Sequence, residues 1–254
     1  MKTVLKCGAS ALILAMAGAM APVTAQAADV ALQVAQAETN IVTSDNPFFH
    51  KWTTRFGVPP YDAIKPEHFK PAYEKAMADH LAEIKAITDN KDAPTFANTI
   101  DALEMSGKML GDVGRVFGSL TASNTNDRLQ QIQREMAPVL AKHSSAINLD
   151  AALFARVDAL YAKRDSLKLS AEQKRVLERY HLDFVRAGAK LEGKDRERMA
   201  AVMQRLAVLS TQFSQNVLAD EKDYKLILTS KEELAGLPDF VVAAASQAAK
   251  DRGD

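Results

Sequence analysis

The stretch Pro71-Ala-Tyr-Glu-Lys-Ala-Met-Ala-Asp-His-Leu-Ala-Glu-Ile-Lys-Ala-Ile87 decides the fold class. Tyr73, Met77, Leu81, Ile84 and Ile87 recur at steps of three and four, which draws one apolar stripe along an α-helix. Pro71 stands in the first turn, where its missing N–H removes no helical bond. Downstream the same period returns. A helix is expected from Thr95 to about Leu120 on Phe96, Ile100, Leu103, Leu110, Val113 and Phe117. Asn126 opens another, with Leu129, Ile132, Met136 and Leu140, and Pro138 is expected to kink it. Asn148 to Asp150 can cap a short helix carrying Leu153, Phe154, Val157 and Leu160. Ser170-Ala-Glu-Gln173 has capping-box form, and the helix behind it carries Val176, Leu177, Tyr180 and Phe184. After Gly188 and Gly193 a long helix is expected from about Lys194 to Ala219 on Met199, Val202, Leu206, Leu209, Phe213 and Val217.

Two segments break this helical text. Tyr224-Lys-Leu-Ile-Leu-Thr229 alternates like a strand, and a lone strand needs a partner, which is expected beyond Asp254. A last helix is expected from about Asp239, running into Lys250-Asp-Arg-Gly-Asp254 without a natural finish. Upstream of Pro71, the prolines Pro47, Pro59, Pro60 and Pro66 punctuate an irregular stretch that wraps rather than repeats.

Lys2 and Lys6 precede the apolar run Ala11-Leu-Ile-Leu-Ala-Met-Ala-Gly-Ala-Met20, and Ala25-Gln-Ala27 offers small residues where a signal peptidase reads. The run is shorter than the ~20 apolar residues that span a bilayer. The expected organisation is therefore a signal peptide over 1–27 cleaved after Ala27, a flexible leader over 28–45 and a helical domain over 46–254. The expected destination is the periplasm or the exterior. The 32 Lys and Arg balance 32 Asp and Glu. Such a mixed surface gives no electrostatic footprint for nucleic acid, nor for a membrane once the signal is gone. Cys7 is the only cysteine. It leaves with the signal, so neither a disulfide nor a thiolate is expected in the mature chain.

Seven segments stand in a characteristic order: Asn46-Pro-Phe-Phe49, Phe56-Gly-Val-Pro-Pro-Tyr-Asp62, Ile64-Lys-Pro-Glu-His-Phe-Lys-Pro-Ala-Tyr73, Pro94-Thr-Phe-Ala-Asn-Thr-Ile100, Thr125-Asn-Asp127, Asp183-Phe-Val-Arg-Ala-Gly-Ala189 and Leu234-Ala-Gly-Leu-Pro-Asp239. Together they resemble the amino-terminal region of the peptidyl-dipeptidase (Dcp) and oligopeptidase A branch of the thimet-oligopeptidase family of zinc metallopeptidases. The resemblance implies a mainly α fold. It implies the multi-helix amino-terminal lobe of a two-lobed enzyme, with at most one or two short strands, truncated before the catalytic domain. It implies that the complete enzyme binds one zinc and removes dipeptides from the carboxyl end of short peptides, inside a channel that excludes folded proteins. The implied partners are short peptides and a catalytic domain.

The chemistry of such enzymes needs His-Glu-x-x-His on a helix, with two histidines on the metal and the glutamate as general base. None of His50, His68, His80, His143 and His181 is followed by Glu, and no two are four apart. The chain is therefore expected to be inactive alone, with no catalytic, cofactor-binding or metal residue assigned and zinc expected only in the complete enzyme. Glu178-Arg-Tyr-His181 has the Glu-x-x-His spacing of di-iron bundles but occurs once, and reads as the polar edge of a helix. His80 with Glu83 reads as a surface pair. Gly107, Gly111, Gly114 and Gly118 share a helix face at about 1 kcal/mol each relative to alanine. They read as a close backbone contact, or as a smooth channel wall near which Arg115 could hold a peptide carboxylate. Arg186 reads as half of a structural ion pair. Lys190, Lys194, Arg196 and Arg198, alternating with Glu192, Asp195 and Glu197, read as a solvated helix start. A second class stays open: a non-catalytic helical module that binds peptides or a partner.

Overall fold

A computed structural model describes residues 45–253; the expected signal peptide, the leader before Asp45 and Asp254 lie outside the described residues. Among the described residues, Asn46 is the first with a structural role. Its side chain is fully buried, accepts from Phe48 N at 3.1 Å and donates to His68 O at 2.8 Å. One amide thus ties the entering chain to the start of α1 (Phe69–Asp89), 22 residues on. Burying an amide is tolerable only when both ends are bonded, as here. The tie brings Phe48 to Phe69 with ring centroids 5.4 Å apart, and Phe69 meets Phe117 edge-on at 4.9 Å. The proline-rich stretch between them does wrap, through one-turn 3-10 segments at Pro47–Phe49, Arg55–Gly57 and Pro66–His68.

The described residues form two compact units, one up to Thr125 and one from Asn126. In the first, α1 buries Phe69, Ala72, Tyr73, Ala76, Met77, Ile84 and Ile87. Leu81, expected in this stripe, is 42% exposed. The single helix expected from Thr95 is three pieces instead. Thr95 does cap it, accepting from Asn98 N at 3.1 Å while Asn98 reaches back to Thr95 N at 2.8 Å. A π-turn over Phe96–Asp101 leads into the one-turn α2 (Ala102–Met105). The chain then breaks at Ser106 and Gly107 before α3 (Lys108–Ser123). Gly107 has φ +67, which glycine adopts without the steric penalty other residues meet. Ile100, Val113 and Phe117 are buried as the periodicity requires.

The second unit begins with α4 (Asp127–Asn148), capped by Asn126 on Leu129 N at 2.9 Å. The helix runs through Pro138 without interruption. Asp150 caps α5 (Ala151–Ala162) on Leu153 N at 2.8 Å. The expected capping box opens α6 (Ala171–Ala187): Ser170 Oγ accepts from Gln173 N at 3.1 Å and Gln173 Oε1 accepts from Ser170 N at 3.0 Å. Helices α5 and α6 pack on each other, with the Phe154 and Phe184 rings 6.1 Å apart, and Leu153, Val157 and Leu177 are buried. Gly188, with φ +98, turns the chain so tightly that an added Cβ would lie 2.9 Å from Leu191 Cδ1.

The long α7 (Gly193–Asp223) lies antiparallel on α4. Gln215 near its end donates to Gln130 O at 3.0 Å and Gln133 Oε1 at 2.9 Å, and accepts from Arg134 at 2.6 Å. The expected stripe holds at its start and fails further on. Met199 and Val202 are half-buried as expected, together with Ala200, Gln204, Ala207, Val208, Thr211 and Gln215. Leu206, Leu209, Phe213 and Val217 are exposed, Phe213 by 68%. Small side chains let two helix backbones approach, so they take the contact with α4. Tyr224 to Thr229 is irregular rather than a strand, and among the described residues no strand forms. Tyr224 and Leu226 stand 70% and 71% exposed. The last helix, α8 (Asp239–Arg252), starts where expected but has a regular finish. Gly253 is left-handed at φ 78, and its N–H reaches Ala249 O and Lys250 O.

Replacing Asn46 with Ala leaves the Phe48 N–H and His68 carbonyl without their partner and should lower the stability of the first unit by about 1–3 kcal/mol. Trp52, the only tryptophan, donates from Nε1 to Pro47 O at 3.0 Å and so reports on this joint. Urea titration followed by its fluorescence checks the expectation; an unmoved midpoint contradicts it.

Candidate functional site

The break between α2 and α3 draws two polar side chains of α1 to it. Both His80 and Glu83 project from α1 toward it, and the expected surface pair is in fact a clamp. Glu83 Oε2 accepts from Gly107 N at 2.7 Å, closing a donor that the broken helix leaves open. The His80 ring packs against Gly107, where an added Cβ would sit 2.9 Å from Cε1. His80 Nε2 lies 3.3 Å from Ser106 Oγ. The trio of Ser106, His80 and Glu83 contains the residue types of a hydrolytic triad but not its geometry. Ser106 Oγ donates to Leu103 O at 2.7 Å, so its proton is engaged by the backbone, and Glu83 bonds Gly107. Beside the clamp lies a cleft of about 380 Å³, bounded by Ala86, Ile87, Asn98 and Met105. Met105 is 77% exposed there.

In the second unit, His181 is buried with Nε2 at 2.8 Å from Asp158 Oδ1. Its ring stacks on Tyr161, centroids 3.8 Å apart and planes 4° from parallel, and Arg164 covers the far face of Tyr161 at 4.2 Å. This locks α5 to α6 by a hydrogen bond and a stack. Glu178 instead approaches Arg175 at 3.7 Å. The two members of Glu178-x-x-His181 therefore serve separate contacts, and the spacing marks no metal pair. Among the described residues no group of three or more His, Cys, Asp or Glu could hold a metal ion. The His, Asp and Glu side chains that are described thus do not gather into a ligand set of the kind the zinc of the resemblance would need.

The glycine face also departs from expectation. Gly107 ends up in the break, and a Cβ at Gly111 would meet only the Arg115 side chain at 3.2 Å. A Cβ at Gly114 or Gly118 would meet nothing within 4 Å, so no backbone packs closely there. Arg115 is exposed and pairs with Asp112, which also binds Lys108 at 2.8 Å. Arg186, expected in an ion pair, is exposed and makes none among the described residues; its neighbour Asp183 pairs with Arg179 at 3.6 Å. The charged start of α7 is solvated except at Arg196, whose Nε donates to Leu191 O at 2.9 Å. Sequence reading missed the Asp158 partner of His181, since 23 residues separate them and only the α5–α6 pairing brings them together. It also missed Phe56, an exposed aromatic at φ 61, a region that bulky side chains rarely enter.

Over 212 residues the chain is 39% identical to the dipeptidyl carboxypeptidase of Escherichia coli (strain K12), covering 84% of this chain and 31% of that protein. It is 38% identical over 210 residues to the dipeptidyl carboxypeptidase of Salmonella typhimurium, covering 83% and 31%. Against the oligopeptidase A of the same species it is 27% identical over 197 residues, covering 78% and 29%. The chain spans about a third of the length of these curated relatives. No family model matches it.

The clamp yields a pH expectation. Burial, the larger cause, holds the His80 imidazole below its ordinary value, against an opposing pull from Glu83. Burial and then Lys65 lower His68 as well. A lowered histidine binds protons less tightly folded than unfolded. Its contribution to stability is complete above about pH 6.5 and is lost as pH falls below that value. The urea midpoint of the first unit should therefore drop between about pH 7.5 and pH 5.5, and His80→Gln should shrink that drop. An equal drop in the variant contradicts the assignment.

Proposed function

We propose that this chain, which belongs to the dipeptidyl carboxypeptidase and oligopeptidase A family, supplies the amino-terminal helical part of a periplasmic zinc peptidyl-dipeptidase. The reaction is removal of dipeptides from the carboxyl end of short peptides. The 39% identity over 212 residues to a dipeptidyl carboxypeptidase carries this reading. The stronger match to that enzyme than to the oligopeptidases A, at 39% against 27%, favours dipeptide release over internal cleavage. The family's zinc supplies the Lewis acid and the activated water. In this chain no His-Glu-x-x-His exists to bind it. The role of the residues present is to shape one wall of the enzyme and to meet the catalytic part. The outward row Leu206, Leu209, Phe213 and Val217 on α7 supports a covering partner surface, since an apolar row of this length is uncommon on a finished exterior.

Two measurements test the reading. Purified 254-residue chain, supplied with zinc, should release no dipeptide from N-blocked tri- and tetrapeptides; zinc-dependent release overturns the assignment of chemistry to residues outside this chain. In cells, the protein should be recovered from the periplasmic fraction with Ala28 as its first residue. Recovery from the cytoplasm with Met1 retained overturns the location.

A further inference from the structure

The C-terminal turns of α4 and the N-terminal turns of α7 enclose a groove of about 510 Å³. Leu149 and Ala200 give it apolar lining, and Lys142, Arg196, Glu197 and Gln204 give it polar lining. Arg196 is half-buried, and its direction is set by the Nε bond to Leu191 O at 2.9 Å. That carbonyl is placed by the tight turn at Gly188, against which Leu191 packs. A guanidinium carries five N–H donors, so four remain on the two Nη atoms after this bond. Neither Arg196 nor Lys142 enters an ion pair among the described residues, although Lys75, Lys85, Lys108, Arg115 and Lys174 each pair with a carboxylate. Glu197 is the only acid lining the groove, so the balance there is one positive charge.

We propose that this groove binds a monocarboxylate with a short apolar tail. Arg196 takes the carboxylate through its paired Nη donors, the planar fork that suits two oxygens. Lys142 adds charge without a fixed direction. The tail lies along Leu149 and Ala200, and Gln204 can bond a neighbouring amide. The C-terminal residue of a peptide and a medium-chain fatty acid both present this chemistry. The inference stands on the groove alone and does not depend on catalysis by the longer relatives.

The test is a titration of the full chain, followed by two-dimensional amide NMR, with N-acetyl-alanyl-leucine, its C-terminal amide, and octanoate. A free acid should shift the Leu149 and Ala200 resonances saturably, with the amide at least about tenfold weaker. Arg196→Gln should lose about tenfold in affinity, and Arg196→Lys should keep part of it. Saturation by the peptide acid identifies a peptide terminus, and saturation by octanoate alone identifies a fatty acid; either supports the site. The proposal is overturned if neither acid binds, if acid and amide bind equally, or if Arg196→Gln binds as the unaltered chain does. Should that variant lose its helical circular dichroism, the acid–amide contrast on the unaltered chain still decides.

Discussion

One type of bond sets where four of the helical segments begin. A side-chain oxygen just before the helix accepts the third helical N–H: Thr95 from Asn98, Asn126 from Leu129, Asp150 from Leu153 and Ser170 from Gln173. Such a bond is worth about 1 kcal/mol, a small term beside burial. Its larger effect is on phase. At two of these starts the bonded N–H belongs to a residue whose side chain enters the core, Leu129 at 3% exposure and Leu153 at 0%. The cap therefore fixes which angular face of the helix points inward from the first turn. The apolar residues that follow at three- and four-residue steps then have only one side to occupy.

The same bond accounts for what is legible in the amino-acid sequence. Helix starts rest on local chemistry within four residues, so Thr95, Asn126, Asp150 and Ser170 declare themselves by residue type and spacing alone. Breaks and faces are harder. Ser106 and Gly107 interrupt a helix because His80 and Glu83, more than twenty residues earlier, satisfy the groups the break exposes. Nothing near Gly107 in sequence announces that support. On α7 the apolar row and the row of small residues have equal periodicity, and beyond Val202 hydrophobicity alone selects the wrong one. The contact with α4 goes to Ala200, Ala207 and Gln215, a row chosen by backbone approach and by hydrogen bonding. Tyr224 to Thr229 alternates correctly for a strand, but alternation is necessary rather than sufficient, since a strand exists only as half of a ladder.

The functional residues follow the same division. The absence of His-Glu-x-x-His is a property of the sequence itself. The pairing of His181 with Asp158, and the fixed direction of Arg196, depend on tertiary neighbours that spacing does not reveal. Arg196 is instructive, because in sequence it sits in an alternating charged run typical of a solvated surface. What separates it from Arg198 is one bond to the carbonyl of Leu191, a residue packed on a glycine that lacks the Cβ to obstruct it.

Gln215 has a consequence of its own. Between α4 and α7, small side chains such as Ala141, Ser144 and Ser145 on one helix and Ala200 and Ala207 on the other stand beside the larger Met203 and Leu206. Small side chains resist translation along a common helix axis only weakly, because they interdigitate little. A single amide reaching Gln130, Gln133 and Arg134 at once removes that freedom. Sliding α7 by one turn, about 5.4 Å, would break all three bonds together. The side chain acts as an indexing pin: its three bonds hold α7 on α4 at one register.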